Sequence, residues 1–386
     1  MLISFELENW MSFKEKSAIS MVASRERQHR ARVSRVEKHR INILPISAFY
    51  GGNASGKTAL FKAIAFVQRM VVHGTRYNKN ILVKPFRLDE SYANRDTSFR
   101  IEILVNENIY EYYFRLTRHR ISFERLTKIG TKNEKVMYER NEKKIQFAKD
   151  FSKEEDRLQL IFQGTRKNQL FLTNSVDQNL DYFEEVYNWF KSTLVLISPD
   201  TEYGPAFQFI DDEYPLSSKM KASLSKLDTG IVELGSERFA LDNLPKEIFR
   251  DLEESIDDDT TATLRNLPAK ERVFVNREEE ELVAQKLISY HEDDAGNLVK
   301  FDLEQESDGT LRLIDLLPAV IDLVDPGEQK VYIIDEIDRS LHTLMVKYLL
   351  RSYLDTCSPE SRSQLLFTTH DVMIMDQNLL RRDEMW

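Results

Sequence analysis

The 386-residue chain has one cysteine, Cys357, and therefore no internal disulfide framework; a reducing cytoplasm is the expected compartment. It has no apolar run near the ~18 residues that a membrane span needs, so no membrane partner is expected. Its opening residues, Met1-Leu-Ile-Ser-Phe-Glu-Leu-Glu-Asn-Trp10, lack a positive segment followed by an apolar core and do not read as a signal peptide. Sustained heptads and internal repeats are missing too, which argues against a long coiled-coil arm. Positive charge is in deficit, with 54 Lys and Arg against 64 Asp and Glu and a formal net charge of −10. That balance argues against a generally cationic DNA-coating protein, so any nucleic-acid contact must come from a local basic patch. What remains, 41% hydrophobic and 31% charged residues, is the composition of a soluble globular protein long enough for two or three domains.

The best-defined stretch is Gly51-Gly52-Asn53-Ala54-Ser55-Gly56-Lys57-Thr58. It follows an apolar run, Ile43–Tyr50, that reads as a buried strand, and precedes Ala59–Val67, which has helical spacing. G-x-x-x-x-G-K-[ST] between a strand and a helix is the pattern of a phosphate-binding loop. Glycines let the loop curl so that backbone N–H groups point at phosphate oxygens, and the helix that follows adds its positive end. Residues Gly51 through Ala59 are thus candidate ATP-binding positions. Lys57 would reach the β- and γ-phosphates, and the Thr58 hydroxyl would hold Mg²⁺.

Along the chain, residues 2–7 and Ser17–Val22 read as paired strands, and Ser98–Val105, Tyr110–Arg118, Ile121–Lys128 and Lys135–Tyr138 as an antiparallel meander. Between these lies a basic stretch, Arg25–Arg40. It reads as a solvated connector or as a patch facing phosphate, either that of the nucleotide or that of a nucleic-acid backbone. From Ser152 to about Asp259 the expectation is mostly helical (Glu154–Phe162, Gln178–Leu194, Lys219–Leu227, Pro245–Ile256), with a loop at Gly204-Pro205. Strands return at Val273–Val275, Leu287–His291 and Leu298–Leu303. The last part alternates helix (Leu311–Val324), strand (Val331–Ile334), helix (Thr343–Thr356) and strand (Gln364–Thr368), the pattern of a parallel α/β sheet. The domains expected are 1–145, 146–270 (the helical insertion) and 271–386.

Val331-Tyr-Ile-Ile-Asp335-Glu336 is a strand ending in two carboxylates. Paired with the phosphate-binding loop, it suggests Asp335 for the Mg²⁺ shell and Glu336 to orient or deprotonate an attacking water. The long separation from Thr58 means that an insertion divides the two halves of one site.

A G-x-N-x-x-G-K-T loop, a distant D-E strand and a histidine after the next strand resemble the ABC-type ATPases of the SMC and RecF group. Phe5-Glu-Leu-Glu-Asn-Trp-Met-Ser-Phe13 resembles that group's first strand and N-F-x-S-F segment. Glu306-Ser307-Asp308-Gly309-Thr310 stands where it has its signature, Ile337–His342 where it has its D-loop, and Leu366-Phe-Thr-Thr-His370-Asp371 where it has its switch histidine. The resemblance implies an α/β fold: an ABC-type head with an antiparallel β subdomain, a parallel α/β core and a mostly helical insertion. It also implies ATP hydrolysis with Glu336, His370 and Lys57 as catalytic residues. Ser307, Asp308 and Gly309 of one copy would close on ATP held by another, so a homodimer or higher homo-oligomer is expected.

Within the group, the E-S-D-G-T, D-E-I-D-x-S-L-H and T-T-H-D strings most resemble stand-alone ATPases of bacterial phage-defence systems (overcoming-lysogenization-defect, Septu and phage-anti-restriction-induced-system types). That resemblance implies a sensor or switch subunit controlling a partner nuclease or toxin. No nuclease motif is visible in this sequence, and relatives continue past the point corresponding to Trp386, so a C-terminal tail is expected. No glutamine is assigned to a Q-loop. The alternative is a DNA repair or chromosome-maintenance ATPase of the RecF or zinc-hook type; the single cysteine excludes a Cys-x-x-Cys hook, and the net charge of −10 weighs against a basic DNA-binding top.

Overall fold

In the computed structural model the first strands are β1 (Leu2–Glu8), β2 (Ser17–Ser20), β3 (Ser34–Val36), β4 (Ile41–Ile43) and β5 (Ile46–Tyr50), followed by helix α1 (Lys57–Val72). Strands β6 (Thr97–Val105), β7 (Asn108–Leu116), β8 (Ile121–Ile129), β9 (Glu134–Asn141) and β10 (Ile145–Phe147) come next. Helices α2 (Glu155–Gly164), α3 (Phe171–Asp177) and α4 (Glu184–Asn188) then lead to β11 (Leu194–Ile197). The structure describes residues 1–199 and 281–386 throughout and, between them, 215–224, 227, 229–241, 252, 262–264 and 271–278. The chain divides into two units, Met1–Pro199 with Pro326–Ile337 and Leu350–Trp386, and Asp200–Asp325 with Asp338–Leu349.

In the first unit, a seven-stranded antiparallel sheet has the order β10-β9-β8-β7-β6-β1-β2. It contains the expected meander, and β1 pairs with β2 in the register Ser4↔Ser20. Alternate residues of β1 (Phe5, Leu7) and β6 (Phe99, Ile101, Ile103) enter the core, as the period of two requires. On this face the rings of Trp10, Phe66, Phe99 and Phe114 follow one another at 5.0–5.6 Å, so α1 packs through Phe66 onto the sheet. Trp10 Nε1 also donates to the Ala59 carbonyl at 2.9 Å, tying the first turn of α1 to the end of β1. A buried carboxylate is held within this core. Glu124 is fully buried and accepts from Tyr112 and Tyr138 hydroxyls, from Arg140 and from the Phe171 and Leu172 N–H groups that open α3.

The second unit contains α5 (Pro215–Leu224), β12 (Ile231–Arg238), β13 (Ala262–Leu264), β14 (Val273–Glu278), β15 (Glu281–Glu292), β16 (Leu298–Asp302) and α6 (Asp308–Val324). The five strands form one antiparallel sheet, order β12-β15-β14-β13 with β16 also on β15. Met220 and Leu224 of α5, Leu234 and Leu287 of the sheet and Ile314 and Leu317 of α6 share a core. Residues 231–238, expected within a mostly helical region, are therefore strand. The expected helix Pro245–Ile256, apart from Leu252, and the loop at Gly204-Pro205 lie outside the described residues.

The chain then supplies β17 (Val331–Ile334), α7 (Thr343–Leu354) and β18 (Gln364–Thr369). β17 and β18 join β5 and β11 in a parallel sheet of the first unit, order β11-β17-β18-β5. Every residue of β17 and β18 is buried, the continuous apolar pattern of strands covered on both faces. Beside β5, the Trp386 backbone bonds to Ala48 and Tyr50. Leu194, expected to end a helix, instead begins β11, after a π turn at Trp189–Thr193. The α/β class, with an antiparallel β subdomain and a parallel core, is as expected. Among the described residues no helix is long and apolar enough to cross a membrane.

Candidate functional site

Because β5, β17 and β18 run parallel, the loops that follow them leave the same edge of the sheet. Gly51–Gly56 follows β5, Asp335-Glu336 follows β17 and His370 follows β18. The sheet register sets their alignment: Thr369 pairs with Tyr50, and Phe367 with Ile334.

The first loop turns sharply, with positive φ at Ala54 (63°) and Gly56 (105°). Gly56 is required there: a side chain would be strained at that φ, and its Cβ would stand 3.3 Å from Ser12 Oγ. Gly56 is also the residue that opens α1, so the helix starts with no side-chain cap and no acidic residue in its first turn. Its leading N–H groups therefore have no side-chain acceptor and carry the positive end of the helix dipole. Lys57 Nζ bonds to the Gly51 carbonyl and, at 3.0 Å, to that of Gly52, and lies 3.4 Å from His370 Nδ1. On the other side of that ring, Nε2 lies 3.5 Å from Glu336 Oε1. An ammonium has only protons to offer, so in the neutral ring Nδ1 accepts and Nε2–H faces Glu336.

Glu336 has φ 51°, a costly backbone for a residue with a side chain. Thr368 holds it there: its Oγ1 accepts from the Glu336 N–H at 2.8 Å and donates to Asp335 Oδ1 at 2.6 Å. The Thr368 carbonyl takes the Ile337 N–H at 3.0 Å. Asp335 is 1% exposed, and its carboxylate lies beneath the surface of the site.

A cavity of about 900 Å³ is lined by Asn53–Ala59, Glu336 and His370, with Lys84, Arg87 and Arg118 contributing further positive charge. Uncapped helix N–H groups, four cationic side chains and one carboxylate fit a polyphosphate anion. Among the described residues no group of three or more His, Cys, Asp or Glu could hold a metal alone. Thr58, which lines the cavity, and the buried Asp335 offer the hydroxyl and carboxylate oxygens that a hard divalent cation takes. Thr368, Lys84, Arg87 and Arg118 were not singled out in the sequence. Their places come from sheet register and from loops remote in the chain, and the only local trace is Thr368's position two residues before His370.

Ser307, Asp308 and Gly309 are in the second unit, at the start of the 17-residue α6. Ser307 Oγ caps the helix, accepting from Thr310 N–H at 3.1 Å. A Cβ at Gly309 would stand 2.8 Å from the Ser340 carbonyl, so the backbone of the expected D-loop segment lies directly against this glycine. Ser289 and His291 of β15 hold Glu306, at 2.5 and 2.7 Å.

The basic stretch Arg25–Arg40 borders a different concavity, and none of its residues lines the one at Gly51–Ala59. Arg32 is buried on Glu384 and the Leu379 carbonyl. Burial pushes the Cys357 thiol up to about 11, which leaves it protonated and no candidate nucleophile.

A family model described as "AAA domain, putative AbiEii toxin, Type IV TA system" matches residues 46–376. Among solved structures, the SMC head domain from Thermotoga maritima is similar at 13% identity and TM-score 0.36, covering 97% of this chain and 91% of that one. An SMC head bound to the C-terminal winged-helix domain of ScpA has the same figures. No curated protein sequence matches significantly.

Proposed function

We propose that this chain, which belongs to the AAA-domain family matched over residues 46–376, is an ABC-type, SMC/RecF-like ATPase that binds ATP with Mg²⁺ at Gly51–Ala59 and hydrolyses it. The observation that carries this reading is the convergence of Lys57, Glu336 and His370 on one cation-lined cavity from the ends of three adjacent parallel strands. When bound, ATP and its Mg²⁺ supply the phosphoanhydride to be cleaved and the divalent charge beside it. Lys57 exchanges the Gly51 and Gly52 carbonyls for β- and γ-phosphate oxygens, and the backbone N–H groups from Gly52 to Ala59 surround the same anion. Thr58 and Asp335 are the residues that would hold the metal. Glu336 takes or orients the proton of the attacking water, and His370, between Lys57 and Glu336, positions that carboxylate.

The test is Glu336→Gln. ATP binding should persist and hydrolysis should slow by about 10²-fold or more, about 3 kcal/mol of barrier. A normal rate in this variant would overturn the assignment of the base.

ABC-type motif order further supports a site shared between copies, with Ser307, Asp308 and Gly309 of one protomer binding the γ-phosphate held by its partner. Ser307→Arg and Lys57→Ala protomers should each lack hydrolysis, and mixing them should restore part of it. In a mixed dimer one composite site is intact; no recovery in verified mixed dimers would remove support for the shared site. The biological role we propose is a cytoplasmic sensor or switch subunit of an anti-phage defence complex, holding or releasing a nuclease or toxin in another chain. The defence-type motif strings and a family description that names a toxin–antitoxin system support it. Recovery of the native complex should bring down such an effector; repair proteins in its place would overturn that role.

A further inference from the structure

A second concavity in the first unit, about 880 Å³, shares no lining residue with the proposed ATP cavity. Its walls carry Arg25, Arg27, Arg30, Arg35, Arg40 and Arg381 against only Glu26 and Glu37. Two of these arginines are already matched. Arg35 pairs with Glu37 at 2.9 Å, and Arg381 is buried in a two-pronged pair with Asp383 while donating to the Gln28 carbonyl. The guanidinium groups of Arg25, Arg27, Arg30 and Arg40 are exposed and have no hydrogen-bond or ion-pair partner among the described residues. Four unneutralised guanidiniums around one hollow repel one another, and they stand on a chain whose formal net charge is −10.

The framework beneath them is held in place. Arg32 is anchored to Glu384 and to the Leu379 carbonyl at 2.8 Å, Gln28 to the Gln377 carbonyl, and Ser24 to Asp383 at 2.7 Å. Arg25, Arg27 and Arg30 therefore project from a segment fixed at both ends, as a preformed anion site needs, and Arg40 joins them from the turn between β3 and β4.

The chemistry of the walls narrows the ligand. Guanidinium forks match phosphate oxygens in pairs, so several together select clustered phosphates. Among the described residues no aromatic side chain lines the hollow, which gives nucleobases no stacking platform of the kind that single-strand binders use. Its volume is that of a small-molecule site. A long polyanion would extend from it over a surface whose net charge is negative, whereas a compact one would stay within the local positive field. We propose that this cavity binds a compact, multiply phosphorylated small ligand, recognised through its phosphate cluster by Arg25, Arg27, Arg30 and Arg40.

Inorganic tripolyphosphate is the probe, measured by calorimetry on the full chain carrying Lys57→Ala. That background removes the only charged side chain of the phosphate-binding loop, and dependence on Arg27, Arg30 and Arg40, none of which lines the ATP cavity, separates the two sites. Tripolyphosphate should bind there and weaken as salt rises. Adding Arg27→Ala, Arg30→Ala and Arg40→Ala should weaken it at least about tenfold, the loss expected from several charge-assisted contacts. These side chains are exposed and unpaired, so the thermal transition should not move; should the triple variant fold poorly, Arg30→Gln alone should still weaken binding measurably. Absence of binding in the Lys57→Ala protein, or binding unchanged by the arginine substitutions, overturns the proposal. Tighter arginine-dependent binding of a 20-nucleotide single strand than of tripolyphosphate overturns it as well, in favour of a nucleic-acid backbone.

Discussion

Thr368→Val removes one hydroxyl and keeps the side-chain shape, and the structure makes that hydroxyl the link between both acids of the site. In the wild type it donates to Asp335 Oδ1 at 2.6 Å and accepts the Glu336 N–H at 2.8 Å. The first bond is to a carboxylate in a residue 1% exposed, where losing a hydrogen bond costs about 1.5–3 kcal/mol. The second leaves a backbone donor without its acceptor, about 1–3 kcal/mol by the same reckoning, less whatever water recovers. Because the two share one atom they do not add fully, and about 3 kcal/mol of destabilisation is expected. Glu336 also loses one of the bonds that keep it at φ 51°, a conformation costing about 1–3 kcal/mol. Its carboxylate then spends less time at His370, and hydrolysis should fall about 10–100-fold, each 1.4 kcal/mol being tenfold. ATP affinity should change little, since Lys57 and the loop before it make no contact with this hydroxyl.

Steady-state hydrolysis, equilibrium ATP binding and urea denaturation, compared across wild type, Thr368→Val and Thr368→Ser, check this. Serine restores the hydroxyl and should recover most of the activity, which a mere packing role would not produce. A valine variant as active as wild type, or a serine variant as impaired as valine, would refute the positioning role of Thr368.

Lys57→Ala should abolish measurable ATP binding in an equilibrium assay with labelled nucleotide, because no other residue within the loop carries a charge. Gly309→Ala should leave ATP binding intact and lower hydrolysis at least about tenfold, since its Cβ would meet the Ser340 carbonyl at 2.8 Å and push the D-loop aside; an unimpaired rate would show that the D-loop gives way freely. Glu124→Gln keeps the shape but leaves Arg140, 4% exposed, without its counter-charge, and should lower the urea midpoint by the equivalent of about 3 kcal/mol.

How legible the site was depends on how local its causes are. The loop Gly51–Thr58 could be read directly, because curling backbone around phosphate demands those residue types in that order. β17 could be read as well, since Val331–Ile334 is apolar throughout and ends in Asp335 and Glu336. β12 could not. Its burial follows no simple alternation, its register slips between Ile231 and Glu233, and Gly235 weakens the strand signal. β11 was hidden differently: four residues long, it emerges from a π turn that continues the helical spacing before it.

The deeper loss was register. A strand buried on both faces offers no alternation to show which residue of its neighbour it meets, so Val331–Ile334 and Gln364–Thr369 could each be recognised without revealing their alignment. Once Ile334 is paired with Phe367, the next residues, Asp335 and Thr368, stand side by side, and the hydroxyl that joins them follows. Pairing Thr369 with Tyr50 sets His370 beside Gly51 and hence within reach of Lys57 in the same way. The reacting groups are local choices of residue type; their convergence is a property of the parallel sheet. A substitution that shifted β18 by one position would leave every motif intact in the sequence and dismantle the site.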